Sequence, residues 1–559
     1  MKTGETRGSK AASPSVQAAA AKAGRVAWKL LLALSGAAMT LLLSQGGSVL
    51  FIGAGVLLSL AVCAVAAFRF RLPEAVLTKP KLLPLVLAVV LAVCVALLYR
   101  AEFGRTANEV IAAFLAASPL SAFAGAVRFA LPTLASVLAL FALYTWFYLL
   151  SDRAAAFARC WYARSDRTER LYLLVGFLLA AVAIALVFGC TNAFYGGGVP
   201  YDVVYTTDSA NLMDTNAFFY VNAYENDIRQ PLFAVFSMPF AVLALLMSRL
   251  LFFVPHAYPV ALACVQALLM LFSFTLLARV LRLTGADKLL FLLLLSVSYP
   301  TLLFLFTMEQ YVFSVFWVLV LLYLWCEEAE DRTLCYVAAT GSLLTSGAFF
   351  PLLFTEKGAG GRVRSLLAAM LAFAGVFVVF GRVPLLNRAM QTARDIASFA
   401  GESVGFGARA LQFLAFVSAC FVRPAAGPDL TAYAHASYQM HAAAGVSWLG
   451  LALLLLAALS AALQLREKRV RVLALWAACS VLLLGVAGWG ASENGMVLYT
   501  LYFFWAYAAL LYTLLLRLLR RRNAARYALA AAGIGALAFF NVCGMTDLIR
   551  FAIAYYPAG

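Results

Sequence analysis

The chain has 559 residues, of which 65% are hydrophobic and 12% charged, and its mean hydropathy is +0.92. Soluble domains average about 45–50% apolar and about 25% charged residues. The composition therefore excludes a soluble enzyme, a disordered protein and a fibrous repeat, and it indicates an all-α polytopic membrane protein. The net charge is +17. In a membrane protein this excess is explained by basic residues concentrated in the cytoplasmic loops. No nucleic-acid partner is therefore expected.

Apolar runs long enough to cross a membrane follow a polar amino terminus. Residues 1–25 are rich in Ala, Ser and Lys without an apolar period, and they are predicted to be a disordered cytoplasmic tail. A membrane-spanning helix needs about 20 mainly apolar residues. Runs of this kind lie at 26–44, 49–68, 82–98, 129–150, 171–190, 257–278, 288–306, 310–326, 365–382, 444–464, 472–488, 496–516 and 527–545. Segment 333–356 is interrupted by Gly347 and Pro351, so two short helices broken at a turn are predicted there.

Basic clusters orient these runs, because Lys and Arg concentrate in cytoplasmic loops. The clusters lie at 69–81, 153–170, 279–288, 357–364, 466–471 and 517–526. With the amino terminus in the cytoplasm, counting spans places the first two clusters inside and loop 191–230 outside. A spanning helix at 231–253 would place the last four clusters outside, so this segment is predicted to be a helix lying in the outer interface. The same reasoning keeps 408–422 from spanning.

The predicted organisation has about 13–15 transmembrane helices in a plasma membrane, and the short loops favour a bacterial one. Its parts are the tail 1–25, a four-helix transmembrane region at 26–170, a core at 171–383, an external segment at 384–443 and carboxyl-terminal transmembrane helices at 444–559. No soluble domain is expected on either side. Any chemistry is therefore expected in the loops or at the membrane face.

Loop 191–230 is unusually acidic for this chain. It holds five carboxylates, at Asp202, Asp208, Asp214, Glu225 and Asp227, against the single cation Arg229. Aromatic and amide residues alternate with them before the chain enters the helix at Pro231. An Asp at hydrogen-bond distance from a hydroxyl can act as a general base. The alternative is a solvated acidic loop that helps to fix the topology.

The order of these features resembles the GT-C fold of polyprenyl-phosphate-sugar-dependent glycosyltransferases, the class of protein O-mannosyltransferases and aminoarabinose transferases. Gln230-Pro231-Leu232-Phe233 resembles the family's His-Pro-Leu-Phe after the external loop. The stretch from Pro300 to Glu309 resembles its helix–loop–helix with a closing acid. Residues 341–347, GSLLTSG, resemble its G-x-x-x-L-T-K-G turn. The resemblance covers about 171–383, and it implies a GT-C-like bundle with the interfacial helix directly after the external loop.

The resemblance also assigns roles to individual residues. It implies that Asp208 is the catalytic base that deprotonates an acceptor hydroxyl, with Asp214 as the alternative. Glu225, Asp227 and Glu309 are expected at the acceptor site. Because the spacing of the acids is not a metal motif, no metal ligand and no certain cofactor is assigned, and a divalent cation is left open.

The donor-phosphate site departs from the family pattern at two positions. Gln230 stands where the family has His, and Ser346 stands where it has Lys, both near the lipid phosphate in relatives. Arg229 is a candidate for the missing cation, since a guanidinium fork suits phosphate. Together with Gln230, the external-segment residues Arg388 and Arg394 are also expected to bind the donor phosphate, and Arg423 is a further candidate.

These features predict a glycosyltransferase that takes a sugar from a polyprenyl-phosphate donor in the outer leaflet. The acceptor would be an envelope glycan, lipid or protein. Two other functions stay open, a transporter or flippase of lipid-linked glycans and a non-catalytic membrane subunit of an envelope-assembly complex. The near absence of ionisable residues from the predicted spans weakens ion-coupled transport. The departures at Gln230 and Ser346 keep the non-catalytic alternative open.

Overall fold

The fold is known from a computed structural model, which describes residues 14–44, 49–69, 72, 74, 76, 81–116, 124–196, 199–223, 226–329, 332–354, 358–386, 404–431, 434–441, 445–491 and 495–558. Within these residues the chain is helical apart from loops and one short hairpin. Ten described helices are long and apolar enough to cross a membrane, and five shorter apolar helices accompany them. The chain is therefore an all-α polytopic membrane protein, which confirms the prediction from composition.

The chain divides into two compact units, of which the first comprises Met1–Trp161 and Ala374–Pro384. Its helices are α1 (Pro14–Leu43), α2 (Val49–Arg69), α3 (Leu82–Leu98), α4 (Arg100–Ala116) and most of α5 (Ala124–Arg164). Helices α1 and α2 approach closely because Gly36 faces the thiol of Cys63, and a Cβ at Gly36 would clash with it. Small residues at a helix contact permit this approach between membrane helices.

The second unit comprises Tyr162–Phe373 and Leu385–Gly559. Its helices are α6 (Arg167–Cys190), α7 (Ser209–Asp214), α8 (Phe233–Leu250), α9 (Ala257–Val280), α10 (Gly285–Val297), α11 (Tyr299–Leu303), α12 (Tyr311–Cys326), α13 (Thr333–Ser342), α14 (Ala359–Val379, shared with the first unit), α15 (Phe406–Ala419), α16 (Trp448–Gln464), α17 (Lys468–Ser480), α18 (Thr500–Leu518) and α19 (Asn523–Tyr555). Leu344–Leu353 and Gly495–Tyr499 form 3₁₀ helices, and Val481–Val486 forms a π-helical turn. Helix α9 packs against α6, α8 and α12, and α18 packs against α12, α16 and α17.

The helix bounds differ from the predicted spans in several places: the region 26–170, predicted to hold four helices, contains the additional helix α4, and α5 continues to Arg164 where the predicted span ends at 150. Helix α1 begins at Pro14, so residues 14–25 are helical where a disordered tail is predicted; Pro at the first turn and Ala, the best helix former, explain the early start. Residues 1–13 lie outside the described residues. The predicted span 288–306 is broken, because α10 ends at Val297, Ser298 is extended and Pro300 lies in the first turn of α11, where its missing N–H does no harm.

Segment 333–356 does form two short helices, α13 and the 3₁₀ helix, but they are separated at the extended residue Leu343, and the predicted break residues Gly347 and Pro351 lie inside the 3₁₀ helix. Helix α8, predicted to lie in the outer interface, has 18 residues and enough hydropathy to span. Its interfacial position stays a prediction. The external segment 384–443 contributes α15 and a hairpin of β1 (Ala426–Asp429) and β2 (Ser437–Met440), in antiparallel register with Ala426 opposite Met440.

A buried charge cluster ties α6, α9 and α10 together at one end of the second unit. Glu169 is fully buried and accepts hydrogen bonds from Lys288 Nζ at 2.8 Å and from Arg279 Nε at 3.0 Å. Lys288 also bonds to Asp166 at 2.6 Å, and Asp166 caps the first turn of α6. Each buried charge therefore has a partner of opposite sign, as its desolvation requires.

Replacing Glu169 by Ala is expected to lower the free energy of unfolding by about 3–5 kcal/mol, because Arg279 and Lys288 would lose the buried carboxylate between them. The matched control is Glu327→Ala, which breaks an ion pair between Glu327 and Arg164. The side chains of these two residues are 37% and 56% exposed, respectively. Exposed pairs contribute less than about 1 kcal/mol. Unfolding in detergent measures both changes, and equal losses would contradict the expectation.

Candidate functional site

Loop 191–230 is anchored at its first residues to the end of the last helix. Thr191 Oγ1 donates to the carbonyl of Ala552 at 3.0 Å, and the Ala558 N–H donates to the carbonyl of Cys190 at 3.0 Å. Thr191 is fully buried. The loop therefore starts from a fixed point where α6 and α19 meet.

The next part of the loop pairs with the hairpin. The Tyr205 N–H donates to the Tyr438 carbonyl and the Tyr438 N–H donates to the Val203 carbonyl, both at 2.7 Å, so that this stretch joins the hairpin as a third, parallel segment. Gln439 Nε2 donates to the carbonyls of Asp202 at 2.9 Å and Tyr205 at 2.6 Å. Asp202 and Tyr205 have φ of 60° and 56°. These strained conformations persist because the hairpin holds both sides of the turn.

Asp208 follows three residues later, beside Glu309. Glu309 lies in the loop between α11 and α12, is 2% exposed, and its Oε1 accepts the backbone N–H of Asp208 at 2.7 Å. Asp208 precedes the short helix α7, and its own side chain is exposed. Burial, together with the nearby charge of Asp208, raises the pKa of Glu309 well above its ordinary value. The pair thus contains one carboxyl group in water and one that favours its neutral form, an arrangement that separates the chemical roles of two acids.

The end of the loop contacts the turn that follows α13. The Leu232 N–H donates to the Gly341 carbonyl at 2.9 Å, and the Leu344 N–H donates to the Arg229 carbonyl at 3.0 Å. A Cβ at Gly341 would lie 2.6 Å from Leu232 Cβ, so only glycine permits this approach. The structure therefore brings together the two motifs, Gln230 to Phe233 and 341–347, that lie more than a hundred residues apart in the chain.

The predicted phosphate-binding residues have defined partners here. Arg229 donates through Nε to Asp227 Oδ2 at 2.6 Å, and its side chain is 45% exposed. Gln230 Nε2 donates to the hydroxyl of Tyr502 at 3.2 Å, whereas its buried Oε1 has no partner among the described residues. Ser346 is fully buried and donates to the carbonyl of Leu343 at 2.7 Å. Ser346 therefore points into the protein and leaves Arg229 as the cation at this turn.

Three tyrosines complete the cluster, and sequence reasoning missed their part in it. The ring centroid of Tyr311 lies 4.6 Å from that of Tyr502 and 6.1 Å from that of Tyr499. Tyr311 interacts electrostatically with Glu309 and Asp208, and Arg229 interacts with Tyr311 and Tyr499. The position of Tyr311, two residues after the predicted Glu309, is the only signal in the sequence that could have indicated it.

The remaining predicted residues lie elsewhere or cannot be placed. Asp214, the alternative base, is exposed at the end of α7 beside Gly196 and has no bond to Glu309. Arg423 forms an ion pair with Asp547 at 2.7 Å. Glu225, Arg388 and Arg394 fall outside the described residues. Among the residues that are described, no group of three or more His, Cys, Asp or Glu side chains could hold a metal ion.

Comparisons of the chain with protein-family profiles, with curated proteins and with solved structures find no match. The fold defines the chain as a polytopic membrane protein. The candidate site is therefore described by its own geometry. That site consists of an exposed carboxylate, a buried carboxyl group, a half-exposed guanidinium and three tyrosines around the end of one loop.

Glu309 is expected to make stability depend on pH. Its pKa is higher in the folded chain than the ordinary value of 4.5, so the folded state binds this proton more tightly than the unfolded state does. Stability is then lost as the pH rises above about 4.5, by about 1.4 kcal/mol per pH unit, until the folded pKa is passed.

Glu309→Gln removes the titrating group and keeps an oxygen to accept the Asp208 N–H. Melting temperatures of wild type and variant in detergent, compared across pH 4.5–8, should show the variant gaining stability relative to wild type as the pH rises. A difference that does not change with pH would contradict the assignment.

Proposed function

We propose that the chain is an integral membrane glycosyltransferase of GT-C type. It transfers a sugar from a polyprenyl-phosphate donor to a hydroxyl of an envelope glycan, lipid or protein. It lies in the plasma membrane, with its amino terminus in the cytoplasm and loop 191–230 on the external side. The observation that carries the proposal is the exposed carboxylate of Asp208, held through its backbone by buried Glu309 in a loop that ends against the Gly341 turn.

In the proposed reaction the acceptor hydroxyl gives its proton to Asp208 as its oxygen attacks the anomeric carbon. The bond between that carbon and the phosphate oxygen breaks, the phosphate leaves with the electron pair, and the configuration of the sugar inverts. Asp208 suits the role of base because it is exposed to an acceptor arriving from water. Glu309 does not, because it is buried and favours its neutral form.

The leaving phosphate needs a positive charge as it separates from the sugar. Arg229 supports this role, since its carbonyl is bonded to Leu344 in the turn and its guanidinium is half-exposed. Its Nε is bonded to Asp227, which orients the guanidinium plane and leaves the two terminal nitrogens to face a phosphate.

The transporter alternative fits the structure less well. A polar path through the membrane requires ionisable groups at mid-helix. The buried ionisable side chains among the described residues lie instead at helix ends or in loops: Glu169, Lys288, Glu309, Arg332, Arg382 and Arg526. The non-catalytic alternative is favoured by one observation, the inward orientation of Ser346 where relatives place a cation.

Replacing Asp208 by Asn is expected to reduce sugar transfer about 10²–10⁴-fold, the usual contribution of a general base. The measurement is transfer of radiolabelled sugar from membrane polyprenyl-phosphate donors to envelope material at matched expression. The matched control is Asp214→Asn, which makes the same change at the other end of α7 and should retain transfer. Equal labelling by wild type, Asp208→Asn and a deletion strain would reject catalysis and favour the non-catalytic subunit.

A further inference from the structure

A second polar region lies at the end of the second unit that carries the Glu169 cluster. Arg526, at the start of α19, bonds to Asp287 at the start of α10 through Nε at 2.9 Å and Nη2 at 2.7 Å. Arg469, at the start of α17, lies beside the thiol of Cys326 at the end of α12. The α16–α17 loop and the α18–α19 loop therefore lie at the end of the unit that holds the start of α10 and the end of α12.

The exposed basic residues of these two loops and of the first turn of α17 differ from the buried ones in their pairing. They are Arg466, Lys468, Arg471, Arg520, Arg521 and Arg522. None forms an ion pair with a described carboxylate, whereas Lys288, Arg279 and Arg526 at the same end are all paired. The one acid in either loop is Glu467. Several exposed basic side chains that form no ion pair with a described residue are thus concentrated at this end of the unit.

The end of α16, the α16–α17 loop and Arg517 of α18 border an open pocket. Residues 462–467 and Arg517 line a concave pocket of about 410 Å³. Arg517 donates through Nη1 to the carbonyl of Leu463 at 2.5 Å, which joins the end of α18 to the end of α16. Arg466 and Arg517 therefore place two guanidinium groups in the wall of one pocket against the single carboxylate of Glu467, which leaves the wall with a net positive charge for a phosphate.

Exposed leucines border this pocket. Leu463, Leu465 and Leu518 are 42%, 54% and 64% exposed, and each adjoins one of the arginines in sequence or in the pocket wall. Free phosphate has no apolar part to cover these side chains. A phospholipid brings an anionic phosphodiester and acyl chains together, so it satisfies the arginines and the leucines at once.

We propose that the α16–α17 and α18–α19 loops form a binding site for an anionic phospholipid. The phosphodiester sits in the pocket beside Arg466 and Arg517, Arg520 to Arg522 supply further positive charge, and the acyl chains lie along the exposed leucines. The site is independent of the proposed glycosyltransferase reaction, since none of its residues belongs to the Asp208 cluster.

The test uses the purified full-length protein and its melting temperature in phosphatidylcholine nanodiscs with increasing phosphatidylglycerol. Wild type should be stabilised by phosphatidylglycerol. The variant Arg520→Gln/Arg521→Gln/Arg522→Gln should need at least tenfold more of it for the same shift. The matched control, Arg249→Gln/Arg362→Gln/Arg364→Gln, removes three exposed charges elsewhere and should respond as wild type does.

Melting in phosphatidylcholine alone shows whether each variant folds, and the single change Arg466→Gln tests the pocket if the triple variant does not. Equal weakening in the Arg520→Gln/Arg521→Gln/Arg522→Gln variant and the control would overturn the site in favour of general surface charge. Inorganic phosphate at matched ionic strength should leave wild type unchanged. A stabilisation by phosphate as large as that by phosphatidylglycerol would overturn the lipid assignment.

Discussion

The hydrogen bond from the Asp208 backbone N–H to Glu309 joins loops that are 101 residues apart in the chain. Glu309 is held by α11 and α12, and because it is buried it cannot follow the loop into water. The bond therefore fixes the start of α7 relative to the helices and points the Asp208 side chain outward. The hairpin contact at Tyr205 and the turn contact at Leu232 hold the chain on either side of this point.

The two polar regions of the second unit satisfy their charges in different ways. The Glu169 cluster is internal, each charge has a partner, and its contribution is to stability. Around Asp208 the partners are mostly backbone groups and tyrosines, and one amide oxygen of Gln230 is left without a partner. A buried polar atom that no described residue satisfies costs free energy, so the Asp208 region is less completely bonded than the Glu169 cluster.

Composition and apolar run length were sufficient to predict the class of protein and most helix positions, because membrane spans are specified locally. The break at Ser298 was missed because the apolar run continues through it, and the hairpin of β1 and β2 was missed because its pairing partner, Val203 to Tyr205, lies more than two hundred residues earlier.

For the site, Asp208, Glu309, Arg229 and Gln230 do come together. Asp214 does not join them, since α7 carries it away toward Gly196. The GT-C likeness and the residue roles that come from it stay predictions.

The anchoring of the loop start to the last helix bears on the order in which the protein is made. Thr191 and its partner Ala552 are 361 residues apart, so at about 5–20 residues per second about 20–70 s of synthesis separate them. During that time the loop already exists, and its partners are added one after another, first the hairpin, then Tyr502 and finally the end of α19. The acidic loop consequently acquires its final shape as one of the last events of assembly. Synthesis that stops before α19 would leave a chain with its earlier helices but with the start of the loop unanchored.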